Sequence, residues 1–217
     1  MMPQIQSPYK RLAQAALLLF VSFTLLVGLQ MLSVIDVKAT MLFQAFVPRV
    51  FDLPFSILSL LGSFEITAGI LLAVLLSKYG RNLLPIVFVW SFFILGTAIE
   101  ILGKLYLFHP APPKLFFRNV GILFPSVYIH TNFSYPSGHM FRTAFIIVFL
   151  TYLLVAKYKQ KNVVFVLLIP LIVMAASRIY LGEHWLSDVV GGTLLGAFFG
   201  ALSIAFLNKP NFKSAKA

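Results

Sequence analysis

Cysteine is absent from this 217-residue chain. No disulfide and no thiolate metal site can form, and cysteine usage carries no information about redox compartment. Charge is scarce as well. Only 11% of residues are charged, and six of these are Asp or Glu. Soluble domains carry roughly a quarter charged residues. Internal repeats and low-complexity tracts are missing too. The shortage of charge excludes a soluble globule. What remains is apolar, with 60% hydrophobic residues. The length allows one domain, residues 1–217.

Six apolar runs stand out, at about 12–35, 56–77, 83–107, 139–156, 162–181 and 188–207. Each is near the ~20 residues that carry a helix across the hydrocarbon core. The expected fold is therefore all-α, a polytopic membrane bundle of six transmembrane helices. The first run is too long for a signal peptide and lacks a small-residue cleavage site. The formal net charge of +11 would fit nucleic acid, but its distribution excludes that partner. Basic residues gather at Lys10 and Arg11, at Lys78 and Arg81, at Lys157, Lys159 and Lys161, and at Lys209, Lys213 and Lys216. These groups fall in every second gap, which is the pattern that sets cytoplasmic loops. The tails 1–11 and 208–217 and the gaps 78–82 and 157–161 are expected in the cytoplasm. The gaps 36–55, 108–138 and 182–187 then lie outside, and anionic headgroups of the bilayer attract the basic side. Compact outer loops without a large ectodomain fit a prokaryotic cell membrane.

Residues 36–55 place Phe43, Phe46, Val47, Phe51 and Leu53 among few charges. They read as a short interfacial helix near 40–53, ended by Pro54, or as a plain connection. The gap 108–138 is the longest and is rich in proline (Pro110, Pro112, Pro113, Pro125, Pro136). Long ordered loops are often functional. In the last run Gly192, Gly196 and Gly200 share one face. Such a stripe admits a neighbouring helix, within the bundle or in a homodimer. Pro170 is expected to kink the fifth span. Glu65 and Glu100 fall inside spans, and Glu100 precedes Lys104 by one turn, within pairing distance.

Two clusters carry chemistry. The first is Ser177-Arg178, then five residues, His184, three residues and Asp188. Charges at membrane depth are expensive and usually functional. His184 and Asp188, four apart at a helix start, share a face. The carboxylate can fix the imidazole tautomer and leave the other ring nitrogen as a nucleophile. A turn through Gly182 brings Arg178 back, and its guanidinium can grip phosphate oxygens in pairs. The second cluster is Tyr135-Pro136-Ser137-Gly138-His139 at the start of the fourth run. A helix start offers free N–H groups to an anion. Gly138 allows close approach, Ser137 can donate its hydroxyl, and His139 can protonate a leaving oxygen. Lys104 adds a second cation. Each residue also has a structural reading on its own: His184 in an aromatic belt beside Trp185, Arg178 snorkelling, Pro-Ser-Gly as a helix cap. Their convergence on one membrane face favours phosphoryl transfer.

These motifs, in order and spacing, resemble the type 2 phosphatidic acid phosphatase superfamily over roughly residues 56–207. The resemblance implies a membrane lipid phosphatase acting without metal or other cofactor. It implies His184 as the nucleophile forming a phosphohistidine, Asp188 orienting it and His139 as general acid. Arg178, Ser137 and Gly138 would hold the phosphate. The family's first motif is Lys, six residues, then Arg-Pro. Here Lys104 is followed at that spacing by Ala111-Pro112. The arginine is missing. Arg118 is expected to replace it as a phosphate ligand, with Lys114 the second candidate. Polyprenyl diphosphate, phosphatidylglycerol phosphate and phosphatidic acid are the candidate substrates. A phosphotransferase of the same fold and a non-catalytic anion-binding or transport protein remain the alternatives.

Overall fold

A computed structural model describes residues 8–122, 131–158 and 162–208. Lys159, Lys161, Lys209, Lys213 and Lys216, which entered the topology expectation, and Pro125 of the long gap lie outside the described residues. The described helices are α1 (Pro8–Gly28), α2 (Ser33–Phe46), α3 (Asp52–Leu60), α4 (Phe64–Tyr79), α5 (Leu83–Tyr106), α6 (Gly138–Tyr158), α7 (Val163–Tyr180) and α8 (Leu186–Leu207). Single 3-10 turns stand at Arg49–Phe51 and Lys114–Phe116.

Five helices, α1, α5, α6, α7 and α8, are long and apolar enough to cross a membrane. A sixth candidate is the pair α2 and Arg49–Leu60, which bends by 100°. The all-α membrane bundle is therefore present, but two of the expected runs are divided. The first ends at Gly28. Gln30 follows in the left-handed region at φ 56, and its amide donates to the carbonyls of Val27 (3.1 Å) and Phe108 (2.6 Å). The second is broken at 61–63, where Ser63 caps α4 by accepting from the Ile66 N–H at 3.5 Å. With 16 residues, α4 rises about 24 Å, short of the ~30 Å hydrocarbon core.

The interfacial helix expected near 40–53 is two elements. α2 ends at Phe46, and Val47-Pro48 turns the chain into α3. Pro48, not Pro54, makes the corner. Pro54 sits in the first turn of α3, where a missing N–H has no helical partner to lose. The Tyr180 hydroxyl donates across this corner toward the Pro48 carbonyl (3.0 Å) and Asp52 Oδ1 (2.5 Å).

α8 packs most extensively on α6 and α1. Its glycines decide the approach to α6. A Cβ at Gly192 would lie 3.0 Å from Met140 Cβ, and one at Gly196 2.8 Å from Ala144 Cβ. The stripe expected to serve the bundle or a homodimer is thus filled by α6 of the same chain. Below it Phe93, Phe141, Phe145 and Phe199 interlock edge to face or tilted. Outward side chains of α1 and α7, such as Leu18, Phe165 and Val166, are exposed. Water would not tolerate so wide an apolar belt, whereas lipid tails cover it.

Candidate active site

The starts of α6 and α8 and the end of α7 meet at one point. The Ser137 N–H donates to the Asp188 carbonyl at 3.0 Å and joins the two helix starts. After α7 the chain reverses through Gly182 at φ 66. A Cβ there would strike the Phe116 backbone carbonyl carbon at 2.5 Å. The reversal lets the N–H groups of Glu183 and His184 both reach the Arg178 carbonyl, at 3.3 Å each. Local sequence thus delivers His184 to Arg178.

His184 and Asp188 are buried. His184 Nδ1 lies 3.2 Å from Asp188 Oδ2, which also accepts the Trp185 N–H at 3.0 Å. Nε2 is the ring nitrogen left for chemistry. Burial, and then the cations of Arg178 and Lys104, hold the His184 pKa well below the ordinary imidazole range; Glu100 opposes and Arg142 adds to the lowering. The imidazole is therefore neutral and nucleophilic at neutral pH.

Around it stand anion-binding groups. Arg178 donates to the Ser59 hydroxyl and pairs with Glu183. Its Nε and the Ser137 hydroxyl are buried without a hydrogen-bond partner among the described residues. Buried donors left unsatisfied are uncommon and ask for a ligand. Lys104 Nζ is 2.5 Å from Glu100 Oε1. Gly138 must be glycine because a Cβ would lie 2.6 Å from the Glu100 carboxyl carbon. His139 packs on the 61–63 turn, where a Cβ on Gly62 would lie 2.6 Å from its ring. An apolar groove of about 400 Å³, lined by Phe20, Thr24, Ile99, Leu102, Gly103 and Pro136, opens beside these groups between α1 and α5.

His184, Asp188, His139, Arg178, Ser137, Gly138 and Lys104 are brought together. Arg118 is not. Its guanidinium donates to the carbonyls of Gln44 (3.2 Å) and Val47 (3.4 Å) and lies 5.0 Å over the Tyr180 ring. It is consumed in bracing the α2–α3 corner. Lys114 is exposed. Several polar residues at the site were missed in the sequence. Arg142, one turn after His139, is 3.2 Å from Glu100 Oε2 and donates to the Gly62 carbonyl at 3.1 Å. A charge inside an apolar run was the available signal. Glu65 lies within electrostatic reach of Arg142. Ser59, His109 and Asp36 had no local signal, whereas Glu183 lies inside the Arg178–Asp188 cluster.

A family model described as the PAP2 superfamily matches residues 84–212. Phosphatidylglycerophosphatase B of Bacillus subtilis is 35% identical over 71 residues, which is 30% of this chain and 35% of that protein. The match thus spans about a third of that relative's length. Undecaprenyl-diphosphatase of Sulfolobus acidocaldarius is 30% identical over 150 residues, 61% of this chain and 68% of the relative. Among solved structures, the transmembrane PAP2-type phosphatidylglycerolphosphate phosphatase of Bacillus subtilis aligns with a TM-score of 0.65 at 20% identity, covering 89% of this chain and 94% of the other. Aquifex aeolicus LpxE aligns with a TM-score of 0.58 at 21% identity, covering 78% and 94%. At these identities the two structures speak for the fold.

Proposed function

Because this chain belongs to the PAP2 superfamily of membrane phosphatases, we propose that it hydrolyses a lipid phosphate or diphosphate through a phosphohistidine at the extracytoplasmic face. Polyprenyl diphosphate, phosphatidylglycerol phosphate and phosphatidic acid are the candidate substrates. The observation that carries this reading is the His184–Asp188 pair, 3.2 Å apart, beside two buried donors without partners, Arg178 Nε and the Ser137 hydroxyl.

His184 Nε2 attacks phosphorus as the P–O bond to the lipid breaks. His139 gives its proton to the departing oxygen. Asp188 holds Nδ1 and balances the imidazolium charge that develops. Arg178, Lys104, Ser137 and the Gly138 N–H at the start of α6 receive the equatorial oxygens. Water then attacks the phosphohistidine, His139 takes a proton from that water, and the P–N bond breaks to release phosphate and free His184. The positive charge comes from side chains and a helix terminus, so the proposal includes independence from metal.

The test is inorganic phosphate release by purified protein in detergent with EDTA, over a panel of lipid mono- and diphosphates. The wild type should release phosphate, and His184→Ala should not while remaining folded and inserted. Normal release by His184→Ala would remove the mechanism. Loss of all activity in EDTA, restored by a divalent cation, would remove the metal-free reading. Phosphate appearing only on an added acceptor alcohol would mark a phosphotransferase. The orientation is tested by a single cysteine at Lys114, labelled from outside only. Labelling from the cytoplasm would move the site to the inner face.

A further inference from the structure

Behind Asp188, on the side away from His184, lies a second histidine with its own carboxylate. His109, Asp36, Ser187 and Asp188 are all buried. His109 Nε2 is 3.0 Å from the Ser187 hydroxyl, 3.5 Å from Asp188 Oδ1 and 3.7 Å from Asp36 Oδ2. The direction of the bonds can be read. Ser187 donates its hydroxyl to Asp36 Oδ2 at 2.7 Å and its N–H to Asp36 Oδ1 at 2.8 Å. Its oxygen is then an acceptor, and His109 Nε2 carries the proton. That N–H faces three oxygens, one of them Asp188 Oδ1.

The backbone that carries the ring is fixed. The His109 carbonyl accepts both the N–H and the hydroxyl of Ser134, at 3.1 Å each. The next carbonyl, that of Pro110, accepts the Trp185 indole N–H at 2.7 Å. Tyr135 meets the ring edge to face at 6.2 Å. Asp188 Oδ1 has no hydrogen-bond partner of ordinary geometry among the described residues, and Ser134, the hydroxyl that faces it, is held by the His109 carbonyl. A carboxylate fully shielded from water needs a donor on each oxygen to keep its charge and its rotation. Oδ2 has two, from His184 and Trp185. Oδ1 has only an electrostatic contact, with His109 Nε2 at 3.5 Å.

We propose that His109 is a positioning residue: backed by Asp36 through Ser187, it holds Asp188 Oδ1 so that Oδ2 stays on His184 Nδ1. This rests on the phosphohistidine reading above. It extends the pair His184–Asp188 to a chain, His184–Asp188–His109–Ser187–Asp36, that ties the reacting imidazole to α2. The arrangement makes a prediction that mere packing does not. His109 acts only through Asp188, so its contribution must vanish when the Asp188 charge is gone.

The experiment is a double-mutant cycle on the purified full-length protein, with phosphate release as the assay. His109→Ala should lower kcat by roughly 10- to 100-fold, the scale of a misplaced catalytic group, with KM changed less than about threefold. His109→Gln keeps a donor and should recover part of the loss. In the Asp188→Asn background His109→Ala should cost less than about threefold. Asp36→Asn should behave as His109→Ala does, and more weakly. Equal loss in both backgrounds, or a loss wholly in KM, would overturn the proposal. Should His109→Ala fail to insert, the cycle is run with His109→Gln and Asp36→Asn, which preserve volume. A readout independent of turnover is the His184 tautomer, observed by nitrogen NMR on histidine-labelled protein. It should be single in wild type and mixed in His109→Ala; a single unchanged tautomer would overturn the proposal even where kcat falls. Inactive wild type with a mixed tautomer in the variant would strike the proposed reaction and leave the positioning role standing.

Discussion

Gly62→Ala isolates the placement of His139. The added Cβ would lie 2.6 Å from His139 Cδ2, 3.0 Å from its Cβ and 3.1 Å from Cγ. Ordinary carbon–carbon contacts lie near 3.5–4.0 Å. The ring must therefore move by about 1 Å, or the 61–63 turn must. That turn is not free to move, because the Gly62 carbonyl holds Arg142 Nε at 3.1 Å and the Gly62 N–H bonds the Ser59 carbonyl at 3.0 Å. A displacement of about 1 Å in a catalytic group costs on the order of 10²-fold, or about 2.7 kcal/mol of transition-state stabilisation. We expect kcat/KM for phosphate release to fall by that amount. The fall should be larger for a lipid alkoxide leaving group than for nitrophenolate, since the alkoxide needs the proton of His139 more. Gly69→Ala is the control. No atom lies within 4 Å of a Cβ there, so activity should stay normal and thermal stability should hold or rise. If Gly62→Ala is folded and turns over at the wild-type rate, the 61–63 turn does not position His139. If both leaving groups suffer equally, His139 is not the acid.

Asp188→Asn keeps the shape of the carboxylate and removes its charge; by comparison with other His–Asp pairs kcat should drop by on the order of 10³–10⁴, and a loss under tenfold would mean that His184 is oriented by another group. The acid limb of kcat/KM should lie below the ordinary imidazole value of 6.5, because burial and neighbouring cations lower the His184 pKa: the nucleophile stays neutral in mild acid and is lost only as pH falls through the lowered value. A limb at or above 6.5 would contradict that ordering of effects. Arg118→Ala should reduce thermal stability by removing the brace on Gln44 and Val47, yet change kcat/KM less than about tenfold; a hundredfold loss with unchanged stability would restore Arg118 to the phosphate.

What the sequence revealed depended on how far apart the cooperating residues are. His184 stands two residues before α8, and Asp188 reaches back from the first turn of that helix to its ring and to the Trp185 N–H, while Arg178 is one tight turn away, so short spacings brought the three together. The glycine stripe was legible for the same reason, as a period along a single helix. The break at 61–63 was not, since Leu58 to Gly62 continues the apolar run and the Ser63 cap is a weak mark. Tertiary partners were out of reach. Arg142 meets Glu100 from 42 residues away, and Ser187 meets Asp36 from 151. Arg118 was read toward phosphate because the carbonyls it bonds, those of Gln44 and Val47, come together only once the chain turns at Pro48. Backbone carbonyls leave no trace in composition or periodicity.

The Glu100–Arg142 pair also constrains how the chain enters a bilayer. α5 carries an acid and a base, Glu100 and Lys104, 2.5 Å apart on its own surface, and can leave the insertion machinery already paired. α6 carries Arg142 with no acidic residue of its own. Arg142 is the fifth residue of α6, near its N-terminal end, where an arginine opposes insertion by less than the roughly 2.5–3.5 kcal/mol it costs at a helix centre. Its counter-ion is on the helix synthesised before it. α6 therefore gains from meeting Glu100 of α5 as it settles into lipid, where the two side chains pair at 3.2 Å. A substitution at Glu100 would leave Arg142 and Lys104 without the carboxylate they share, so it should be felt in the yield of folded protein as well as in turnover.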